Sequence, residues 1–143
     1  MLCGHTGSKN RGCEAIIRST VQILNSIGYS DVEAMTYDLE YDRLLELDKG
    51  VKVHRVDNFM IKSNNFIDWV MQMNFNMVAK ASEIIQKEGN FDVIHAHDWL
   101  VAYAAKTLKN SYNLPLVSTI HATEAGRNSG IHDEVQRYIN DTE

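Results

Sequence analysis

Short apolar runs alternate with longer helical patterns along this chain, and that alternation constrains the fold more than any other feature. The apolar runs lie at residues 32–37, 51–56, 93–94 and 116–120. The helical patterns lie at about residues 14–27, 64–88, 99–108 and 131–139. Strands that alternate with helices pair in parallel through right-handed crossovers. The sequence therefore predicts an α/β fold, with a doubly wound, mostly parallel, Rossmann-like sheet in a single domain over residues 1–143.

Residues that begin and end helices agree with this division. Gly28 follows the first helical pattern, and Gly89 follows the longest one. Asn64 or Asn65 stands where a side chain can cap the longest helix. Residues 38–48, between the first two apolar runs, place acidic side chains among leucines, which predicts a solvated amphipathic turn or short helix.

Asn74 lies within an apolar stripe of the longest helical pattern. A buried amide needs hydrogen-bond partners, so this side chain either bridges to backbone groups or faces a ligand. We retain Asn74 as a candidate substrate-binding residue beside the structural role. The methionines of the same helix are interpreted as adaptable core residues rather than as a cofactor-binding motif.

Three polar segments follow predicted strands directly, and of the first of these strands only Leu2 and Cys3 are present. They read GHTGSKNRG, HAHDW and HATEAGRN. Because the carboxyl ends of parallel strands meet at one edge of a sheet, we expect these segments to share that edge. Ligands of such sheets bind in the crevice beyond it.

The first of these segments resembles an anion-binding loop in its chemistry. Gly7 and Gly12 permit tight turns, Lys9 adds positive charge, and the helix that follows offers free amide groups. With Asn10 and Glu14, these residues form a candidate phosphate- or carboxylate-binding loop. The spacing matches neither a P-loop nor the dinucleotide-binding fingerprint. A glycine-bearing loop with a solvated basic edge is the equal alternative.

The HAHDW segment admits three interpretations: metal ligands, groups lining a substrate crevice, or an ordinary strand-to-helix junction. We expect His95 and His97 to point to opposite sides of the extended segment, and neither a cysteine nor a third histidine stands at zinc-ligand spacing, so we predict no metal site. Asp98 is predicted to cap the following helix. His97 is better placed than His95 to project over the sheet edge, whereas His95 is expected to hydrogen bond within the sheet.

His121 and Glu124 reach the same edge from the next strand, so a polar pocket formed by both loops is predicted. Spacing alone does not identify the ligand of that pocket.

Composition excludes several classes of partner. The formal charge is −5 and the chain has no basic block, which argues against nucleic acid or an anionic membrane surface as the main partner. No apolar run approaches the length of a membrane span. Cys3 and Cys13 are the only cysteines. Together these features predict a cytoplasmic protein without a disulfide framework.

Most of the chain resembles a known enzyme family. From about residue 51 onward, the segments FIDWVMQMN, FDVIHAHDWL and LPLVSTIHATEAGRNSGIHDEVQRYI are similar to the N-terminal domain of glycogen/starch-synthase-like retaining glycosyltransferases, families 4 and 5. The resemblance implies one half of a GT-B type two-domain fold. This half would hold the carbohydrate acceptor, and a C-terminal domain would hold a UDP- or ADP-sugar donor. No cofactor is implied for this half.

The same resemblance implies roles for individual residues. The histidine of HAHDW that corresponds to His97 would hydrogen bond the transferred sugar and is the candidate catalytic residue. His121 and Glu124 would line the cleft, and Asp98 and Asn74 join them as candidate substrate-binding residues.

The first fifty residues resemble a different family. LCGHTGSKNRGCEAIIRSTVQIL is similar to the opening of polysaccharide pyruvyl transferases, with Asn10, Gly12 and Glu14 in the matching loop. We therefore expect a hybrid chain that is cut at both ends and lacks its donor-binding domain. On that expectation the chain alone transfers no sugar. The alternatives are a pyruvyl-transferase-like protein and a non-catalytic folded fragment or fusion.

Overall fold

Six strands form one sheet in the computed structural model, which describes residues 2–6, 11–29, 31–37, 45–48, 51–56 and 65–143. The strands are β1 (Leu2–Thr6), β2 (Glu33–Tyr37), β3 (Leu45–Asp48), β4 (Val51–Val56), β5 (Ile94–His97) and β6 (Leu116–Thr119). Their order across the sheet is β3-β4-β2-β1-β5-β6. The β3–β4 pair is antiparallel, and the other pairs are parallel.

The described residues also form five helices and one 3-10 turn. They are α1 (Arg11–Ser26), α2 (Phe66–Glu88), the 3-10 turn Trp99–Val101, α3 (Ala102–Tyr112), α4 (Glu124–Asn128) and α5 (Glu134–Thr142). The Asn65 side chain accepts a hydrogen bond from the Ile67 amide and so caps α2. Gly28 and Gly89 follow α1 and α2 with φ of 101° and 96°, which favours glycine at both helix ends. The predicted cap of α2 and the glycine stops after both helices are confirmed, whereas α1 begins at Arg11, three residues before its predicted start.

Helices cover both faces of the sheet. On one face, Ile17 and Val21 of α1 pack against Ala34 and Val51. On the other face, α2 and α3 pack against the sheet to form the main core. That core includes Met35, Val56, Met73, Met77, Ile84, Ile94, Ala96, Ala104 and Leu108. Successive side chains of one strand point to opposite faces of the sheet, so each strand contributes to the packing on both faces. The predicted doubly wound, mostly parallel sheet is confirmed.

The segment at residues 38–48 differs from its prediction. Residues 45–48 form the edge strand β3 rather than a turn or short helix, and residues 38–44 lie outside the described part of the chain. The sequence LELD alternates apolar and acidic residues with a period of two, which is the strand period. Pairing with β4 satisfies backbone groups of β4 that would otherwise form an open sheet edge.

A short helix also forms within the segment HATEAGRN. The Thr123 side chain accepts a hydrogen bond from the Gly126 amide and caps α4. The following helix, α5, confirms the last helical pattern of the sequence, and the Asp133 side chain caps it through the Gln136 amide. Both helices follow the carboxyl end of β6 in the sequence.

Candidate functional site

The carboxyl ends of β5 and β6 lie side by side. His97 pairs with Thr119 in the strand register, and the Asp98 amide donates a hydrogen bond to the Thr119 carbonyl at 2.9 Å. On the other side of β5, Cys3 of β1 is the register partner of His97. The prediction that HAHDW and HATEAGRN share one sheet edge is therefore confirmed.

His95 and His97 lie on the same face of β5, and the expectation that they point to opposite sides is wrong. Their ring centroids are 4.2 Å apart. Residues i and i+2 of a strand share one face, so adjacency is the direct result of strand geometry. The His95 Nε2 atom hydrogen bonds with the Thr119 hydroxyl at 2.8 Å, as expected for a group held within the sheet. Burial, followed by repulsion from positive charge including that of His121, lowers the pKa of His95.

His97 is more buried than His95. Its exposed fraction is 6%, whereas His95 is only half-buried. The Nδ1 atom of His97 lies 3.1 Å from Nε2 of His121, which is exposed. His97 is therefore buried at the carboxyl end of β5, where it contacts His121.

Asp98 has a different role from the predicted helix cap. Its backbone has a positive φ of 66°, and its side chain makes no capping hydrogen bond to the 3-10 turn. Instead its carboxylate lies 3.5 Å from Nη2 of Arg127 on α4. The positive φ turns the chain sharply after β5, and this ion pair links the two loops at the carboxyl edge. Trp99, which follows, is buried against Val70 and Ile139.

Glu124 is buried at the start of α4, and hydrogen bonds fix its position. Its Oε1 atom accepts a hydrogen bond from the Asn128 side chain at 2.7 Å, and Oε2 lies 3.8 Å from Nη1 of Arg127. Its backbone amide donates to the Glu143 carboxylate at 2.9 and 3.0 Å. Together with the Asp98 pair, these contacts place Arg127 between two carboxylates.

Asn74 bridges α2 to the segment that follows β5. It is 3% exposed. Its amide nitrogen donates to the carbonyls of Val70 and Leu100, both at 2.7 Å, and its Oδ1 accepts from the Ala104 amide at 2.8 Å. The Ala104 amide belongs to the first turn of α3, where helix amides lack intrahelical partners. These hydrogen bonds are the ones expected if Asn74 bridges to backbone groups. Contact between Asn74 and a substrate stays a prediction.

The candidate anion-binding loop is only partly described. Gly7, Lys9 and Asn10 lie outside the described residues. Gly12 and Glu14 lie in the first turn of α1. The helix that was expected to offer its amide groups is thus present, and the loop itself stays a prediction.

A second polar cluster lies at the opposite edge of the sheet. Lys52 forms ion pairs with Glu33 and Glu88. The buried His54 ring lies 3.0 Å from the other carboxylate oxygen of Glu33. This cluster ties β2 and β4 to the end of α2, away from the carboxyl edge where the two histidines meet.

Within residues 2–6, 11–29, 31–37, 45–48, 51–56 and 65–143, no three side chains of His, Cys, Asp or Glu are grouped so as to hold a metal ion. In the same part of the chain, no helix has the length and apolar character required to cross a membrane.

Comparisons with known proteins agree on one family. Residues 6–141 match the family model described as the starch synthase catalytic domain. That match takes in most of the segment that resembles pyruvyl transferases. A glycogen synthase of Mycobacterium tuberculosis is 47% identical over 72 residues, which cover 47% of this chain and 17% of that protein. An uncharacterized glycosyltransferase of Methanocaldococcus jannaschii is 36% identical over 110 residues, which cover 76% of this chain and 26% of that protein.

A solved structure shares the fold. Sucrose-phosphate synthase from Thermosynechococcus elongatus superimposes with a TM-score of 0.65 at 13% identity, over 96% of this chain and 38% of that chain. The described architecture is thus that of a Rossmann-like half of a GT-B fold. The chain spans about a quarter or less of the length of the two sequence relatives, 26% and 17%.

Proposed function

This chain belongs to the starch synthase catalytic domain family, and from that premise we propose that it forms the acceptor-side half of a retaining glycosyltransferase. The enzyme would transfer a sugar from a UDP- or ADP-sugar to a glycan. A second domain, of the C-terminal GT-B type, would bind the nucleotide-sugar. The relatives support this division, since they are several times longer than the segment they share with this chain.

The meeting of His97 and His121 at the carboxyl edge of the sheet carries this proposal. The two side chains lie at the ends of two adjacent strands, and Nδ1 of His97 is 3.1 Å from Nε2 of His121. In open α/β sheets, ligands bind beyond the carboxyl ends of the strands. The edge also holds Glu124, Asp98 and Arg127, so hydroxyl groups of a sugar would meet both donors and acceptors of hydrogen bonds.

We assign His97 the contact with the transferred sugar. A neutral imidazole N–H donates a hydrogen bond to a hydroxyl oxygen and holds the ring of the sugar in one orientation. Such a bond accelerates transfer only insofar as it is stronger in the transition state than in the bound donor. Glu124 would line the acceptor side, because Asn128 and Arg127 hold its carboxylate in place.

The proposal predicts a division between binding and chemistry. Since the nucleotide-sugar would be held by the second domain, this chain by itself should bind a glucan and should transfer no sugar.

The binding half of the proposal can be tested by NMR on the chain itself. Backbone amide shifts would be recorded while maltohexaose, ADP-glucose or UDP-glucose is added. We expect maltohexaose to shift the amides of His97, His121 and Glu124 and to leave those of Lys52 and Glu88, at the opposite edge, unchanged. Perturbation confined to the opposite edge, or no perturbation at all, would contradict the assignment of this edge to the acceptor.

A further inference from the structure

His97 and His121 meet edge to edge rather than face to face. Their ring planes are within 8° of parallel, and their centroids are 5.3 Å apart. The distance between the ring centroids exceeds the 3.1 Å between the two nitrogens by about two ring radii. This difference is expected when both nitrogens lie on the line that joins the two centroids. The lone pair or hydrogen of a ring nitrogen lies in the ring plane. The contact is therefore an in-plane hydrogen bond between Nδ1 of His97 and Nε2 of His121.

One of the two nitrogens must carry the proton, and the choice determines which tautomer His97 adopts. If Nε2 of His121 donates, Nδ1 of His97 accepts and the proton of His97 is on its own Nε2. If Nδ1 of His97 donates, its Nε2 has no proton and can only accept. The two arrangements present opposite hydrogen-bonding character at Nε2 of His97.

Tautomer preference favours His121 as the donor. If Nδ1 of His97 donated, His121 would have to accept at Nε2 and carry its own proton on Nδ1. A neutral histidine side chain prefers the tautomer with its proton on Nε2, and the exposed ring of His121 is free to adopt it. Donation from Nε2 of His121 gives both rings this preferred tautomer, whereas the reverse bond gives both rings the less stable one.

His95 does not take this role. Its ring lies beside that of His97, with centroids 4.2 Å apart and a 37° angle between the planes. Its Nε2 atom is engaged by the Thr119 hydroxyl on β6. His95 thus supports the ring of His97 by contact, and the hydrogen bond to a ring nitrogen of His97 comes from His121.

We propose that His121 is a positioning residue that fixes His97 in the tautomer with its proton on Nε2. The His97 side chain then has a hydrogen-bond donor at Nε2. The statement about the tautomer rests on the in-plane contact and on the tautomer preference of the imidazole, and it is independent of the proposed function. Its consequence for sugar transfer rests on the proposed function, in which Nε2–H of His97 donates to a hydroxyl oxygen of the sugar.

The test is a comparison of His97 tautomers in the isolated chain. Histidine ring nitrogens labelled with ¹⁵N report through long-range couplings which nitrogen carries the proton, independently of any activity. The variants are His121→Phe, which keeps a flat ring without a donor, and His121→Gln, which keeps a side-chain N–H donor. Because His121 is exposed, both substitutions should leave the fold intact, and the amide spectrum of β5 and β6 checks this.

We expect one tautomer of His97, protonated at Nε2, in the unmodified chain and in His121→Gln. In His121→Phe the ratio of the Nε2–H to the Nδ1–H tautomer should fall by about 2- to 10-fold, the change that one hydrogen bond supports. An unchanged ratio in His121→Phe would overturn the proposal. So would a ratio in His121→Gln that matches the one in His121→Phe, because the donor would then not be responsible.

The outcome also separates this proposal from the proposed function. If the tautomer depends on His121 while no saccharide binds at this edge, the positioning role stands and the function fails. If saccharide binds while the tautomer is independent of His121, the function stands and the positioning role fails.

Discussion

Replacement of Asn74 should destabilise the protein more than any other single change of a polar residue discussed above. Its side chain donates a hydrogen bond to the Leu100 carbonyl and accepts one from the Ala104 amide, and both groups lie across the interface between α2 and α3. Both Asn74→Leu and Asn74→Ala remove these two hydrogen bonds. The Val70 carbonyl lies one turn earlier in α2, where the helix hydrogen bond can still satisfy it.

The magnitude follows from the two backbone groups that lose their partner. A buried backbone group left without a hydrogen bond costs about 1–3 kcal/mol. Two such groups imply a loss of about 2–6 kcal/mol in the free energy of unfolding. That is a large fraction of the total of about 5–15 kcal/mol that is typical of folded domains.

Urea unfolding, followed by the fluorescence of Trp69 and Trp99, measures the loss. The matched control is Asn110→Leu, on the exposed side of α3, which should change the free energy of unfolding by less than about 0.5 kcal/mol. The two Asn74 variants guard against different artefacts, since leucine adds volume and alanine removes it. If either variant were as stable as the unmodified chain, the reasoning that the Asn74 amide holds α2 to α3 would be refuted.

Two further predictions concern pH. A hydrogen bond from Lys52 lowers the pKa of Glu88. The ion pair therefore stabilises the fold at pH values above the ordinary glutamate pKa of about 4.3, and this stabilisation is lost as the pH falls below that value. Glu88→Gln should therefore lower the melting temperature near neutral pH and cease to do so in acid, whereas a difference that is constant with pH would contradict this. Burial, followed by the hydrogen bond to Tyr103, raises the pKa of Tyr138 to about 12. The buried, protonated Tyr138 side chain therefore stabilises the fold below about pH 10, and this stabilisation is lost as the pH rises to about 12. In an alkaline titration of tyrosinate absorbance, Tyr138→Phe should remove the step of highest pH and Tyr112→Phe should leave it, whereas the opposite pattern would contradict the assignment.

The sheet and its main helices were predictable because their signals are local. Residues 65 and 89 mark the two ends of α2, since an asparagine caps its start and a glycine with positive φ follows its end. The alternation of strands and helices was sufficient to predict parallel pairing, and parallel pairing was sufficient to bring HAHDW and HATEAGRN to one edge.

The short strand β3 was missed because its signal competes with another pattern. Four residues that alternate leucine with an acidic residue fit either a strand or one turn of an amphipathic helix. The antiparallel pairing with β4 decides between the two, and that pairing depends on residues distant from the strand's own sequence.

The details of the site depend on tertiary packing. The shared face of His95 and His97 follows from strand geometry and could have been predicted correctly. The burial of His97 beside His121 could not, because it depends on where β6 lies. Likewise the positive φ of Asp98 and its ion pair with Arg127 bring together residues that are 29 positions apart in the sequence.

Sugar transfer by a chimera tests the role of His97 most directly. This chain would replace the corresponding segment of the Mycobacterium tuberculosis glycogen synthase, and transfer from ADP-glucose or UDP-glucose to glycogen would be followed. His97→Asn retains a polar atom near the position of Nδ1, which can hydrogen bond His121, and removes Nε2. His95→Asn is the matched control, since His95 hydrogen bonds within the sheet.

The unmodified chimera should transfer sugar. In His97→Asn, turnover should fall by about 5- to 150-fold, which corresponds to the loss of about 1–3 kcal/mol of transition-state stabilisation. His95→Asn should lower the melting temperature and leave turnover nearly unchanged. Turnover in His97→Asn equal to that of the unmodified chimera would contradict the claim that His97 contacts the transferred sugar.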